Sequence, residues 1–554
     1  MKVEQSLVWK LLFFTIVAGY VLYYAPFGLN ETDGGFLTGL AWQILNGKVL
    51  YQDVIYIRPP MSVWLRALEL QALPEYWAVL GERWFFYGKL ALYACLGAAV
   101  LEQGARRWPL ALIGFVVSAH CYPPMAWHTV DGILFAVLAA FFINYEIAFK
   151  LTTLQKLSTS DRLPQHGHSN FLFLGIAGCC LFCSMLCKQS FYPLLPLFAL
   201  YLFFEKANRW KNLAFFFGAF TVCTALFFNY LAQENIISGY LQMTRGATSG
   251  GQALQHGILD YFRITPELAL PSIVLLAPVA WWFWKGKNPR LALASWSFWL
   301  FALVLSYPAI TWLRQEHTVP FAQSRVMFWV AAGLLLSHRS LFNTHRILFL
   351  LLGISWCAAV SWGYNLPILF ATPWVWAGME ITRRLLNASK PIRYLNFYGF
   401  IALLVLLLSF RIGQEFVYRD GRRGEMTEPM GAIFSQLSGI YSDRETADLY
   451  RDLKQLSEQY GPNFKILPAF PQANFLTNTP PPLPLDWVVN RETNGDNNLI
   501  YKKLKEKKPV IFIQKSFQAK IETDPELKVT RQILKQGSIA QETPNFWVVV
   551  NYEL

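Results

Sequence analysis

The sequence predicts an α-helical polytopic membrane protein of about 13 transmembrane helices, followed by a small C-terminal α/β extracytoplasmic domain. Composition is the first reason. Hydrophobic residues make up 54% of the 554 residues and charged residues only 15%, where a soluble chain would carry about 25% charged residues. The second reason is length: apolar runs recur at about the 20 residues that a bilayer core requires. The third is the placement of Trp and Phe near the ends of those runs, as an aromatic belt demands.

Taken in order, the runs lie near residues 7–25, 84–101, 109–127, 131–149, 170–187, 189–204 and 213–231. Further runs follow near 267–284, 291–312, 319–337, 347–365, 366–381 and 396–412. The first, starting near Leu7, is too long for a cleaved signal peptide and lacks a small-residue cleavage site after it, so it is read as a retained span. An odd number of spans puts the termini on opposite sides.

Charge supplies the direction. From Gly413 onward 18 basic residues balance 18 acidic ones, so the whole net charge of +13 falls within the membrane part. That distribution is a topology signal and argues against a nucleic-acid-binding surface. Alternate loops carry Arg106 and Arg107; Lys150, Lys156 and Arg162; Lys206, Arg209 and Lys211; Lys285, Lys287 and Arg290; Arg339 and Arg346; and Arg383, Arg384, Lys390 and Arg393. These loops are expected to be cytoplasmic, with the N-terminus. The acids Glu31, Asp33, Asp53, Asp131, Glu234, Asp260 and Glu316 then face outside, as does the C-terminal domain.

The 8 cysteines lie in or beside spans, which implies no disulfide framework. Cys179, Cys183 and Cys187 share a helix face; polarizable packing residues suit that pattern better than a metal site. No His, Asp or Glu spacing makes a metal claim, and divalent-metal dependence stays open.

The expected transmembrane part covers 1–412, with an outer loop at 26–83; the domain from 413 to 554 follows it. Within the loop, Phe36–Leu45 and Met61–Ala72 read as helices too short to span, lying at the interface on either side of the rigid Arg58-Pro59-Pro60 turn. A second long loop, 233–267, holds the Gly-rich run after Arg245, either a ligand-closing loop or a mobile connector. In the tail, Arg444–Tyr460 reads as a helix, and Phe464–Pro468, Pro509–Gln514 and Phe546–Asn551 as strands. The tail has no phosphate loop, metal cluster or nucleophile elbow, so its expected role is structural or substrate-positioning.

An acid at the end of a span is costly and therefore a functional candidate. The densest group is Glu31-Thr32-Asp33-Gly34-Gly35, whose glycines admit close backbone approach. The structural alternative makes Asp33 the N-cap of the following helix. Asp131, in the His128-Thr129-Val130-Asp131-Gly132 turn between spans three and four, poses the same choice between ligand and cap.

Glu31 to Phe36, Gly47-Lys48-Val49-Leu50-Tyr51-Gln52-Asp53 and Ile57-Arg58-Pro59-Pro60 together resemble the first extracytoplasmic loop of GT-C glycosyltransferases. The similarity is to bacterial relatives of protein mannosyltransferases and lipid A aminoarabinose transferases. Cys187-Lys188-Gln189, Ser361-Trp362-Gly363-Tyr364-Asn365 and Val417-Tyr418-Arg419-Asp420 add to it. The resemblance implies a GT-C architecture in a bacterial plasma (inner) membrane. It also implies transfer of a sugar, with inversion, from a polyprenyl-phosphate donor to a hydroxyl of a glycan, lipid or protein on the extracytoplasmic face.

That chemistry needs a base for the acceptor hydroxyl and cations for the departing lipid phosphate. Asp33 is the first candidate base and Glu31 the second; the family pairs adjacent acids here, whereas Thr32 separates these two. Arg58, before Pro-Pro, suits a bidentate phosphate contact, against a reading as an interfacial anchor. Lys188 and Arg245 are further phosphate candidates, and Asp131 and His128 candidates for binding sugar or acceptor. Asp53 ranks below Asp131, as a brace for the loop. Competing readings are a transporter or lipid-linked sugar flippase, a polysaccharide polymerase or ligase, and a non-catalytic assembly factor. No internal repeat of the transporter kind is visible in the sequence.

Overall fold

The structure is a computed structural model that describes residues 2–101, 107–121, 124–158, 171–205, 208–246, 346–360 and 422–553. The expected spans near 267–284, 291–312, 319–337, 366–381 and 396–412 lie outside these residues, as do the Gly-rich run after Arg245 and the motifs at 361–365 and 417–420.

Helix α1 (Lys2–Gly19) runs into a π-helical turn, Tyr20–Tyr24. After the outer loop come α2 (Phe36–Leu45), α3 (Met61–Ala72), α4 (Ala78–Leu101), α5 (Arg107–Cys121) and α6 (His128–Ser158). They are followed by α7 (Leu172–Cys187), α8 (Leu194–Phe204), α9 (Arg209–Gln233), α10 (Ile237–Gly246) and α11 (Ile347–Val360). Among the described residues four helical stretches are long and apolar enough to cross a membrane: Ser6–Tyr24, Glu75–Leu101, His128–Glu146 and Arg209–Gln233. Their outer faces leave Leu7, Val8, Leu22, Val222 and Leu226 more than half exposed. So much apolar surface is tolerable against lipid and not against water.

Helix α4 packs on α5 and α6, α6 on α7, α7 on α9, and α11 on α6 and α8. Small residues permit the close approaches. A Cβ at Gly132 would meet the Phe191 ring at 2.2 Å, and one at Gly178 would meet the Phe216 carbonyl at 2.3 Å.

The structure adds three details to the sequence reading of the first outer loop. Glu82 and Arg83 belong to α4 and are buried. Helix α2 is covered by protein: Phe36, Leu37, Gly39, Leu40 and Ala41 are buried, partly beneath the C-terminal unit. Helix α3 also turns its charged residues Arg66 and Glu69 inward, because partners for both wait there.

The C-terminal unit contains two short paired strands, β1 (Glu428–Pro429) and β2 (Tyr441–Ser442). Helix α12 (Arg444–Tyr460) starts at Asp443, whose carboxylate accepts from the Thr446 N–H at 2.7 Å, and buries Ala447, Tyr450, Leu453 and Leu456 on one stripe. A four-stranded sheet has the order β3 (Phe464–Leu467), β4 (Val510–Gln514), β6 (Phe546–Val550), β5 (Ser538–Glu542). β3 and β4 are parallel; the β4–β6 and β6–β5 pairs are antiparallel. Strand β5, absent from the sequence reading, is a mostly exposed edge with a bulge between Ile539 and Gln541, and Ser-Ile-Ala-Gln-Glu carries little of the apolar signal of a buried strand.

This unit is laid directly on α2 and its flanking loops. Trp42 Nε1 donates to the Thr479 carbonyl at 3.1 Å, Gln43 Nε2 to Asp486 Oδ2 at 2.9 Å, and Lys48 Nζ to the Pro481 carbonyl at 2.6 Å. The Ile55 N–H donates to the Pro484 carbonyl at 2.8 Å, and Trp487 Nε1 to the Thr32 carbonyl at 2.7 Å. Burial, opposed by nearby Asp486, pushes Lys48 down to about 8. At the end of α1, the Arg423 guanidinium sits over Tyr23 at 3.8 Å and over Tyr24 and Phe27 at 4.5 Å each.

Gly39 is the tightest point of this contact: a Cβ there would lie 2.3 Å from the Pro471 carbonyl oxygen and 2.9 Å from Asp486 Oδ2. Gly39→Ala is therefore expected to cost about 1–3 kcal/mol by overpacking. Gly88→Ala in α4, where a Cβ meets nothing within 4 Å, should be neutral or slightly stabilising. Thermal melting of the two variants in one detergent checks the contrast; equal melting temperatures would contradict the packing argument.

Candidate active site

The acidic loop is shaped by Asn30. Its Oδ1 accepts from the backbone N–H groups of Thr32 at 3.1 Å, Asp33 at 2.6 Å and Gly34 at 3.3 Å, and from the Thr32 hydroxyl at 3.0 Å. Such an Asx-type turn folds four residues tightly and presents their side chains. The N-cap of α2 is Gly35, at φ +77° with no side-chain capping bond. Asp33 is therefore not the cap that the structural alternative required. It is 8% exposed, with Glu31 partly exposed beside it. A cavity of about 40 Å³ opens against Asn30, Gly34, Gly35, Glu82, Arg83 and Gln472, room for water and not for a sugar ring. Arg83 donates to the carbonyls of Ala25, Phe27 and Gly28 and so ties the loop to α4.

Arg58 stands at the turn into α3, its carbonyl accepting from the Tyr51 hydroxyl at 2.7 Å. Its guanidinium does not face open solvent. Nη1 and Nη2 grip the two oxygens of Glu492 at 2.7 and 2.8 Å, and the group lies 5.4 Å from the Phe36 ring centroid. Burial works against its charge, but Glu492 outweighs burial and holds the Arg58 pKa above its ordinary value. Glu492 itself is 2% exposed.

Lys188 occupies an extended break (φ −163°, ψ 143°) between α7 and the 3-10 turn Gln189–Phe191. Burial and the neighbouring Arg58 charge push it down to about 7, with Glu492 opposing. The next residue joins three segments. Gln189 Nε2 donates to the Ile57 carbonyl at 2.6 Å and to the Thr244 carbonyl at 3.4 Å. The backbone next to Arg58 and the backbone next to Arg245 are thereby brought to Lys188. Arg245 itself is exposed on the last turn of α10.

His128 and Asp131 do not form an outer turn; the Trp127 carbonyl accepts from the N–H groups of Val130 at 3.1 Å and Asp131 at 3.2 Å, which makes them the first turn of α6. The fully buried His128 ring stacks on Tyr56 at 6.1 Å and 21° and meets Phe36 at 5.9 Å. Neither of its nitrogens has a hydrogen-bond partner among the described residues. Asp131, 1% exposed, is drawn into an ion pair at 2.7 Å with Lys89 of α4.

Lys89 also holds Glu69 at 2.8 Å. Glu69 meets Arg66 at 3.3 Å, and Arg66 meets Glu82 at 2.7 Å. Glu82 then accepts from the Thr38 hydroxyl and from the Ala126 N–H, both at 2.8 Å. This buried chain of charges runs from α2 through α3 and α4 to α6. Asp53 braces its loop, accepting from the Val49 N–H at 3.0 Å.

The structure thus brings Arg58 and His128 to the Phe36 ring, with Lys188 close to the charges of Arg58 and Glu492, and Trp487 bridges from Phe36 to the Thr32 carbonyl of the acidic loop. Asp131 is held by Lys89, and Arg245 is exposed at the end of α10. Sequence reasoning missed Glu492, Gln189 and Lys89. A lone lysine within an apolar run was the available signal for Lys89, and adjacency to Lys188 the signal for Gln189; nothing local marks Glu492. Among the described residues, no three His, Cys, Asp or Glu side chains gather as a metal site.

No protein-family profile and no curated protein matches this chain. Among solved structures it is similar to the archaeal oligosaccharyltransferase AglB from Archaeoglobus fulgidus in complex with an inhibitory peptide and a dolichol-phosphate. The identity there is 10% and the TM-score 0.46, over 99% of this chain and 74% of that one. It is likewise similar to ArnT from Cupriavidus metallidurans in the apo state, with 12% identity and a TM-score of 0.42 over 98% of this chain and 97% of that one.

Proposed function

We propose that this chain is a membrane glycosyltransferase that moves a sugar from a polyprenyl-phosphate donor to a hydroxyl acceptor on the extracytoplasmic face. What supports this reading is that the acidic loop and Arg58 are both tied to the C-terminal unit, Thr32 through Trp487 and Arg58 through Glu492, with Lys188 beside Arg58. The residues quoted for the GT-C resemblance are the ones that supply both halves of the site. The opposite end of the bundle carries Arg107, Arg209, Lys211 and Arg346 at helix starts. The positive-inside rule makes that end cytoplasmic and the site extracytoplasmic.

In the proposed reaction a carboxylate, Asp33 first and Glu31 second, takes the proton of the acceptor hydroxyl. The acceptor oxygen attacks the anomeric carbon from the face opposite the phosphate. The bond from carbon to phosphate oxygen breaks, and the electron pair leaves with the lipid phosphate, whose charge Arg58 and Lys188 offset. A single displacement inverts the anomeric centre. His128 and Asp131 are the candidates for binding sugar or acceptor, and Arg245, exposed on the last turn of α10, is the remaining phosphate candidate.

The test is transfer by the purified chain in proteoliposomes, supplied with a labelled polyprenyl-phosphate sugar and a mixture of glycan, lipid and peptide acceptors. Arg58→Ala is expected to raise the KM for the donor by about 10- to 100-fold, the worth of a charged hydrogen-bonded contact. An unchanged donor KM would remove Arg58 from the phosphate. Intact donor flipped across the bilayer without cleavage would replace the transferase reading with a flippase.

A further inference from the structure

Glu492 is the one carboxylate that the C-terminal unit pairs with Arg58, 434 residues away in sequence. Its carrier is stiff. Glu492 sits in the 3-10 turn Asn490–Thr493, where its N–H donates to the Val489 carbonyl at 3.1 Å. Thr493 Oγ1 donates to Asn497 Oδ1 at 3.0 Å, and Asn497 Nδ2 donates to Asn490 Oδ1 at 2.7 Å. The Arg491 N–H donates to Glu526 at 2.8 Å, and Asn494 Nδ2 reaches the Met243 carbonyl on α10 at 3.1 Å.

Docking of the unit does not depend on this pair, since Trp42, Gln43, Lys48, Ile55 and Trp487 already bond across the contact. A buried ion pair is also poor glue, because desolvation consumes much of its attraction. Its value lies in orientation. Arg carries five N–H groups in a rigid fork. Glu492 takes one from each terminal nitrogen, and the other three donate to no described residue.

We propose that Glu492 is a positioning residue for donor binding: from the C-terminal unit it fixes the Arg58 guanidinium so that its remaining N–H groups, with Lys188, receive the donor phosphate. The proposal rests on the donor reading above and adds a role for the C-terminal unit in it. Among the described residues, the charged and titratable groups that bear on Lys188 are Arg58, Glu492 and His128. Of these only Glu492 supports the lysine charge, and Arg58 opposes it. Lys188 sits near 7, so phosphate affinity should be strong on the acid side of that point and fall as pH rises through it. Removing the Glu492 charge shifts the fall toward lower pH.

The experiment measures binding of a short polyprenyl monophosphate to the full chain in detergent by calorimetry, from mildly acid to alkaline pH. Glu492→Gln is expected to weaken binding about tenfold and move the pH break down by about one unit. Glu492→Asp, which keeps the charge and shortens the reach, should keep the break and lose part of the affinity. In an Arg58→Ala background, Glu492→Gln should have no further effect on affinity on the acid side of the break, where Lys188 is charged in both. Wild-type affinity with an unmoved break in Glu492→Gln would overturn the positioning role, as would tighter binding. If Glu492→Gln does not fold, wild-type affinity in Glu492→Asp overturns it instead. A wild-type chain that binds no polyprenyl phosphate at all would overturn the donor reading itself, and this role with it.

Discussion

Asp33→Asn is expected to slow sugar transfer about a thousandfold while membrane insertion, melting temperature and donor affinity stay near wild type, as removal of a general base does. The substitution is nearly isosteric, and Asn30 holds the loop through the backbone N–H groups of Thr32, Asp33 and Gly34, which an asparagine at position 33 leaves in place. Single-turnover transfer with saturating donor is the measurement, because it separates the chemical step from binding. Glu31→Gln is the paired control. Should Glu31→Gln abolish transfer while Asp33→Asn retains it, the base is Glu31; full activity in both variants would take the base out of this loop.

The largest effect on stability is expected from Arg66→Met. Arg66 has a fully buried side chain and is shared between Glu82 and Glu69, with further bonds to Thr38 Oγ1 at 2.9 Å and the Ala78 carbonyl at 3.0 Å. Without it, among the described residues Lys89 alone would offset Glu69 and Asp131, and Glu82 would lose its ion-pair partner, keeping the Thr38 hydroxyl and the Ala126 N–H. An unpaired buried carboxylate costs far more than the pair contributes, so a loss of about 3–5 kcal/mol is expected. Adding Glu82→Gln to Arg66→Met removes the stranded charge and should recover part of that loss. Thermal unfolding in detergent reads both. Single and double variants that melt with wild type would show that the ion chain is not a structural element.

Part of the site was legible in the sequence for a local reason. Helix bounds follow from caps, proline and apolar periodicity within a few residues of each other. Phe36–Leu45, Met61–Ala72 and Arg444–Tyr460 accordingly appear with the limits read from the sequence. The Asn30 turn, by contrast, looked like a cap at Asp33 because an acid ahead of a helix is the usual cap. Gly35 took that position by adopting φ +77°, and the alternative was lost to a backbone conformation that residue types do not display. His128 to Gly132 misled in the same way: a turn and the first turn of a helix share their residue preferences, and the Trp127 carbonyl decided between them.

By itself the sequence determined that this protein spans a membrane, where its apolar runs lie, and that acids and bases stand near the ends of those runs. Hydrophobic length is a property of a contiguous segment, and it needs no partner to be read. Tertiary structure alone decided which charges are free to act and which are spent on one another. Asp131 is spent on Lys89 and Arg66 on Glu82, while Glu492 orients Arg58 rather than cancelling it, because a buried charge must find an opposite charge wherever the fold delivers one. Pairing of that kind is set by proximity in space, and residues 434 apart in sequence carry no local trace of it.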